Sequence, residues 1–167
     1  MEFARLALYF ERLDATPKRL EMFEILAELF REAEGREIDK VVYFLKGELL
    51  PPFHGINIGM SEKYLLRAIA NTAGIDPDEL LKEYRTIGDI GKTAEKVRGS
   101  AVQGENRTAA PLAGVEEVYQ SIYQIAMMSG EGSVDRKIEA LSDILSSLTA
   151  VEAKYVARFV AGQLRLG

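Results

Sequence analysis

Apolar residues recur every three or four positions along this 167-residue chain, in one segment after another, and no segment alternates with a period of two. That spacing puts an apolar stripe on each of a series of α-helices and provides no half-buried strand. The expected fold class is therefore all-α, with helix boundaries set by Gly, Pro and short polar caps. Leu6, Leu8, Phe10 and Leu13 belong to a first helix over 3–15. Thr16-Pro17 then reads as a second helix start, because the hydroxyl can cap free N–H groups where proline needs none. The helix that follows runs to about Glu34, with Leu20, Phe23, Leu26, Ala27 and Phe30 on one face and Met22, Ile25 and Leu29 beside it. So wide an apolar surface predicts a central, heavily buried helix.

Ile38, Val41, Val42, Leu45 and Leu49 predict a third helix over 37–49, stopped by Pro51-Pro52. Ser61 caps a fourth, which ends at Gly74, and Asp76-Pro77-Asp78-Glu79 opens a fifth. Gly88-Asp89-Ile90-Gly91 opens a short helix ending near Arg98. Residues 99–112 lack periodicity and read as a flexible linker between two helical lobes, 1–98 and 113–167. Beyond it, Val115 to Ala126 restores helical spacing, and Ser133 opens a helix with Ile138, Leu141, Leu145 and Leu148 inward. Thr149-x-x-Glu152 is a capping box for a final helix whose inward positions are Tyr155, Val156, Phe159 and Val160.

The chemistry-bearing residues exclude several functions. His54 is the only histidine and stands in a Pro/Gly loop, so no Ser-His-Asp or Cys-His set can be built around it on an ordered scaffold. No phosphate-binding Gly-x-x-x-x-Gly-Lys-Ser/Thr loop occurs. The absence of cysteine excludes disulfides and thiolate metal sites and makes a cytoplasmic setting the default. No apolar run approaches the ~20 residues that cross a bilayer, so no membrane partner is expected. Glu24, Glu28 and Glu32 are spaced as a solvated acidic stripe. A net charge of -5 argues against a polycation that coats nucleic acid, leaving only a local cationic patch for any such binding.

Three helix starts provide such patches: Gly59-Met60-Ser61-Glu62-Lys63, Gly88-Asp89-Ile90-Gly91-Lys92, and Gly130-Glu131-Gly132-Ser133 followed by Arg136-Lys137. A helix N-terminus offers unpaired N–H groups and partial positive charge, glycine lets a phosphate approach the backbone, and a nearby cation adds a full charge. The plainer reading of the same residues is that they are ordinary turns and caps.

Three further motifs weigh against the plainer reading: Gly130 to Lys137, Glu152-Ala153-Lys154-Tyr155-Val156-Ala157-Arg158, and Gly162-Gln163-Leu164-Arg165-Leu166-Gly167. Together they closely resemble the N-terminal DNA-binding domain of archaeal-type ATP-dependent DNA ligases. Phe3-Ala4-Arg5-Leu6-Ala7, Leu13-Asp14-Ala15-Thr16, Gly59 to Lys63, Thr72-Ala73-Gly74-Ile75 and Gly88 to Gly91 extend the resemblance over essentially the whole chain. The resemblance implies an all-helical domain that lies across the minor groove of nicked double-stranded DNA without reading its sequence. It implies DNA-binding roles for Gly162, Gln163, Arg165 and Gly167, then Gly130, Gly132, Ser133 and Lys137, then Lys63 and Lys92. Relatives often carry a cation where this chain has Gln163, an exchange that leaves a weaker neutral hydrogen bond. Lys154 and Arg158 are expected to brace acids within the domain, and Tyr155 and Phe159 to pack in the core.

The ligase chemistry uses ATP and Mg and a Lys-x-Asp-Gly nucleophile, which this chain lacks. The resemblance therefore implies a non-catalytic fragment, cut slightly short of the family's full domain. Its partners would be DNA, the catalytic domains of its parent and, through the parent, a sliding clamp. The rival reading is an α-helical protein-interaction module whose wide apolar faces receive a partner helix.

Overall fold

The computed structural model describes residues 1–33, 35–102 and 114–166. Among these residues it contains nine α-helices: α1 (Phe3–Asp14), α2 (Arg19–Glu32), α3 (Ile38–Lys46), α4 (Glu62–Asn71), α5 (Pro77–Ile87), α6 (Ile90–Val102), α7 (Val115–Met127), α8 (Ser133–Ser147) and α9 (Ala150–Val160). The only β pairing among them is a single antiparallel bridge between Glu2 and Gly114. The fold is all-α, as the periodicity predicts. None of these helices is long and apolar enough to cross a membrane.

Several caps form as expected. Ser61 Oγ accepts from the Tyr64 amide at 3.4 Å, and Asp76 Oδ1 accepts from the Asp78 and Glu79 amides at 2.9 and 3.2 Å. Thr149 and Glu152 close their capping box, with Glu152 Oε2 accepting the Thr149 amide at 2.8 Å. Other boundaries differ. Helix α3 stops at Gly47, which takes the left-handed conformation at φ 70°, so the prolines fall beyond it, Pro51 as the N-cap and Pro52 as the first residue of a 3-10 turn over Pro52–His54. Helix α2 begins at Arg19 rather than at Pro17, because Thr16 Oγ1 accepts the Lys18 amide at 3.2 Å in a local turn and donates to Glu21 at 2.5 Å. Helix α6 runs past Arg98 to Val102, so the first residues of the expected 99–112 linker are helical. Its positions 103–112 lie outside the described residues.

The larger correction concerns which helix is central. Helix α2 buries only Ile25 and Leu29, while Leu20, Phe23 and Phe30 are 77%, 56% and 37% exposed. Helix α9 is the buried one: every residue from Glu152 to Val160 is inside. It packs against α6 and α1, with α3 and α7 closing an aromatic cluster around its end. In that cluster the Phe44 ring lies 4.9 Å from Phe159 and 5.3 Å from Phe3, and Phe10 lies 5.2 Å from Tyr155. Width of apolar surface misleads here because α9 carries three charges into the core. Lys154 and Arg158 are ion-paired there and Glu152 accepts the Thr149 amide, which is the condition for burying such groups. Glu24, Glu28 and Glu32 are exposed on α2, as a solvated stripe requires, and Glu28 and Glu32 also bind Arg12 at 2.6 Å and Arg5 at 2.8 Å, linking α2 to α1 at the surface.

The α6–α9 contact depends on one glycine. A Cβ placed on Gly91 would lie 2.6 Å from Arg158 Cγ and 2.7 Å from the Lys154 carbonyl oxygen. Gly91 thus admits a neighbouring helix where its sequence context had suggested an approaching phosphate. Later in the same helix, a Cβ on Gly99 meets nothing within 4 Å among the described residues. Gly91→Ala should therefore destabilise the fold by about 1–3 kcal/mol through overpacking. Gly99→Ala should stabilise it by about 1 kcal/mol, as alanine does in a helix interior. Chemical denaturation of the two variants checks this: equal effects, or effects of reversed sign, would refute the assigned contact.

Candidate nucleic-acid interface

Helix α9 ends in a Schellman turn. Gly162, at φ 67°, donates its amide to Phe159 O at 3.0 Å, and the Gln163 amide reaches Arg158 O at 2.8 Å. Leu164 folds back into the core at 8% exposure. Arg165 follows at φ 54°, the only non-glycine residue with positive φ among those described. For a residue with a Cβ this conformation costs on the order of 1 kcal/mol. The turn leaves the Arg165 side chain 58% exposed, with Nη1 3.6 Å from Asp89 Oδ2.

Two hollows adjoin at Gly47 and Gly162 and form one open groove. One, of about 580 Å³, is lined by Leu45 to Gly47 and by Gly162, Leu164, Arg165 and Leu166. The other, of about 420 Å³, is lined by the α3 turn, the 52–58 loop and the end of α9. Two of the three helix starts singled out in the sequence reach this groove through their neighbours. The Lys137 Nζ, on the second turn of α8, donates to Ile58 O at 2.8 Å and so fixes the loop leading into α4. Lys137 itself is buried, and its ammonium is engaged by that carbonyl.

The third start, that of α6, meets the tail through Asp89. Its Oδ1 accepts the Lys92 amide at 2.9 Å and Arg158 Nε at 3.2 Å, and its Oδ2 accepts Arg158 Nη2 at 2.8 Å. Arg158 Nη1 reaches Asp14 Oδ2 at 3.0 Å. Glu11 Oε1 accepts both Lys154 Nζ at 2.6 Å and the Tyr155 hydroxyl at 2.7 Å. Lys154 and Arg158 therefore brace acids from α1 and α6, as the sequence predicts. Burial pushes the Asp89 and Glu11 carboxyls up. Hydrogen bonds from Arg158 and the Lys92 amide at Asp89, and from Lys154 and Tyr155 at Glu11, outweigh burial and hold both below their ordinary values.

The remaining expected contacts are more dispersed. Gly130 and Gly132 are exposed at φ 86° and 71°, and Arg136 pins their turn by donating to Glu131 O at 2.9 Å and Ser129 O at 3.0 Å. Ser133 is the first residue of α8, and Gly132 before it is the N-cap. Lys92 is exposed at the start of α6. Lys63 lies on a separate hollow of about 370 Å³ between α4 and α5. Gln163 is half-buried beside the tail, and Gly167 lies outside the described residues. Sequence reasoning missed the Lys46-Gly47 wall of the groove, although a cation followed by glycine at the end of an apolar periodic run is a helix C-terminus signal. Among the described residues, no group of three His, Asp or Glu side chains is placed to hold a metal ion.

With this geometry in place, comparison with known proteins decides the family. The sequence matches the family described as DNA ligase N terminus over residues 2–167. This chain belongs to that family. It is 44% identical to a probable DNA ligase of Dictyoglomus thermophilum, over all of this chain and 27% of that protein. It is 39% identical to a DNA ligase of Acidianus ambivalens and 38% identical to one of Pyrobaculum islandicum, each over all of this chain and 29% of the relative. The chain thus spans between a quarter and a third of the length of these ligases.

Within this ligase N-terminal domain, the depressed carboxyls carry a sign. A group whose folded pKa lies below its unfolded value adds stability above the unfolded pKa, and that stability is lost as pH falls through the folded one. The loss should begin near pH 4, the ordinary carboxylate range, and continue below it. Asp89→Asn leaves Arg158 only half compensated, so it should cost about 3 kcal/mol at neutral pH and make the acid profile shallower. Urea denaturation across a pH series reads both effects, and parallel profiles for variant and parent would contradict the assignment.

Proposed function

We propose that this domain holds nicked duplex DNA through its sugar-phosphate backbone, from the minor-groove side and without reading sequence, for an ATP-dependent DNA ligase acting in replication and repair. The observation that carries this reading is the groove beside Gly162, where the α9 tail meets the loop into α4 and the start of α6. Arg165 is held there in a strained left-handed turn, and strain of this kind persists where the surrounding structure fixes it for a purpose. Gly162, Gln163, Arg165 and Gly167 would face phosphates first. Gly130, Gly132 and Ser133 at the α8 start, with Lys63 and Lys92, would extend the track. Lys137 would contribute by fixing the 55–59 loop as well as by its charge.

Family membership and the ligase names of the relatives support the reading. In a whole ligase, ATP and Mg would serve nucleotidyl transfer in other domains of the same polypeptide, and a sliding clamp would be a partner of that whole. A second reading, a protein-interaction module, is favoured by the exposed stripe of Leu20, Phe23 and Phe30 on α2.

A salt titration with nicked duplex separates the two readings. Binding that tracks phosphates should weaken steeply, with a log–log slope near -0.9 for each phosphate neutralised. Arg165→Ala should lower affinity equally for unrelated duplex sequences and flatten that slope by roughly one unit. No affinity at low salt would favour the protein-interaction module, and a changed sequence preference in Arg165→Ala would refute backbone contact.

A further inference from the structure

Phe53 is the most exposed large apolar side chain among the described residues, at 84%. A single exposed phenylalanine on a mobile loop would mean little. This one is presented rigidly. Pro51 and Pro52 limit the backbone entering the turn, the His54 amide donates to Pro51 O at 3.0 Å, and Gly55 closes the turn at φ 65°. The His54 ring backs the Phe53 ring, with centroids 4.5 Å apart. The loop beyond is fixed twice more, by the Gly59 amide on Asn57 Oδ1 at 2.8 Å and by Lys137 on Ile58 O.

The turn also stands at a particular place. Pro52 and Gly55, on either side of Phe53 and His54, both line the groove that Gly162 lines from the opposite wall. An aromatic pair is therefore fixed at the rim of the surface on which Arg165 is displayed.

We propose that Phe53, backed by His54, is a non-electrostatic contact to duplex nucleic acid, its ring packing on the deoxyribose and base edges of the strand that the groove holds. Apolar side chains enter minor grooves, where the sugars and base edges of any sequence offer apolar surface. The contact supplies affinity that salt does not screen, which suits a domain of net charge -5. It rests on the proposed binding of DNA at this groove.

The test compares the 167-residue chain with Phe53→Ala and Phe53→Trp on nicked duplex over a salt series. Phe53→Ala should bind about tenfold more weakly at every salt concentration, with an unchanged log–log slope, because no counterion release is lost. Its thermal midpoint should match the parent's, since the ring is exposed. The chain has no tryptophan, so Phe53→Trp supplies a single fluorophore, which should keep the parent's affinity and be quenched on DNA binding. Parent-like affinity in Phe53→Ala, a slope changed in the manner of Arg165→Ala, or unquenched Phe53→Trp on saturating DNA would each overturn the contact while leaving DNA binding intact. Failure of the parent chain to bind DNA at low salt would overturn both proposals.

Discussion

The structure depends on charges that are buried and paired along one helix. Lys154 and Arg158 of α9 are 6% and 3% exposed, and their partners come from α1 and from the start of α6. A buried ion pair adds little net stability over an apolar pair of similar volume, but one left without its partner is strongly destabilising. The pairs therefore act by selection. An apolar seam would tolerate sliding, whereas Arg158 between Asp14 and Asp89 is satisfied in one register of α9 against α1 and α6. Gly91 enforces the same register sterically, because only a residue without a side chain fits over the Lys154 carbonyl.

That register is what places the tail. The Schellman turn begins three residues after Arg158, and the Arg158 carbonyl accepts the Gln163 amide that closes it. Asp89, which holds the Arg158 side chain, also lies 3.6 Å from Arg165. The core and the candidate interface are thus joined at two residues. A shift of α9 would move Gly162 and Arg165 with it, and the groove wall they share with Gly47 would open or close.

Much of this was legible in the sequence, and the failures share a physical cause. Caps at Ser61, Asp76 and Thr149 formed as read, because they are local interactions within four residues. The DNA ligase motifs pointed to the family that the comparison then showed. The ranking of α2 and α9 came out reversed because hydropathy treats every charge as a surface group. Only tertiary structure brings Glu11, Asp14 and Asp89, distant in sequence, to Lys154 and Arg158. In the sequence Gly91 suits a phosphate equally well, because a glycine admits whatever comes near and the sequence does not say which neighbour that is. The Lys46-Gly47 wall is hidden in the sequence because Pro51-Pro52 is a stronger stop signal a few residues after the helix ends. The groove itself joins residues more than a hundred positions apart, and no local pattern encodes that.

The same arrangement would reconcile an acidic domain with the anionic ligand proposed for it. The network that holds α9 and its tail includes three carboxylates, those of Glu11, Asp14 and Asp89, which would bear on a phosphate at the proposed site. Left bare, they would repel it, since like charges in a partly desolvated site are poorly screened. Each carboxylate has a cation bound to it, and Lys154, Arg158 and Arg165 match the three acids one for one. The network is therefore formally neutral, although the chain carries -5. Of the three cations, two are buried and committed, and Arg165 alone is exposed at a distance too long for a strong hydrogen bond to Asp89. It is the one cation of the network that can turn to a phosphate without leaving a buried acid unpaired, because Arg158 still holds Asp89 through two nitrogens.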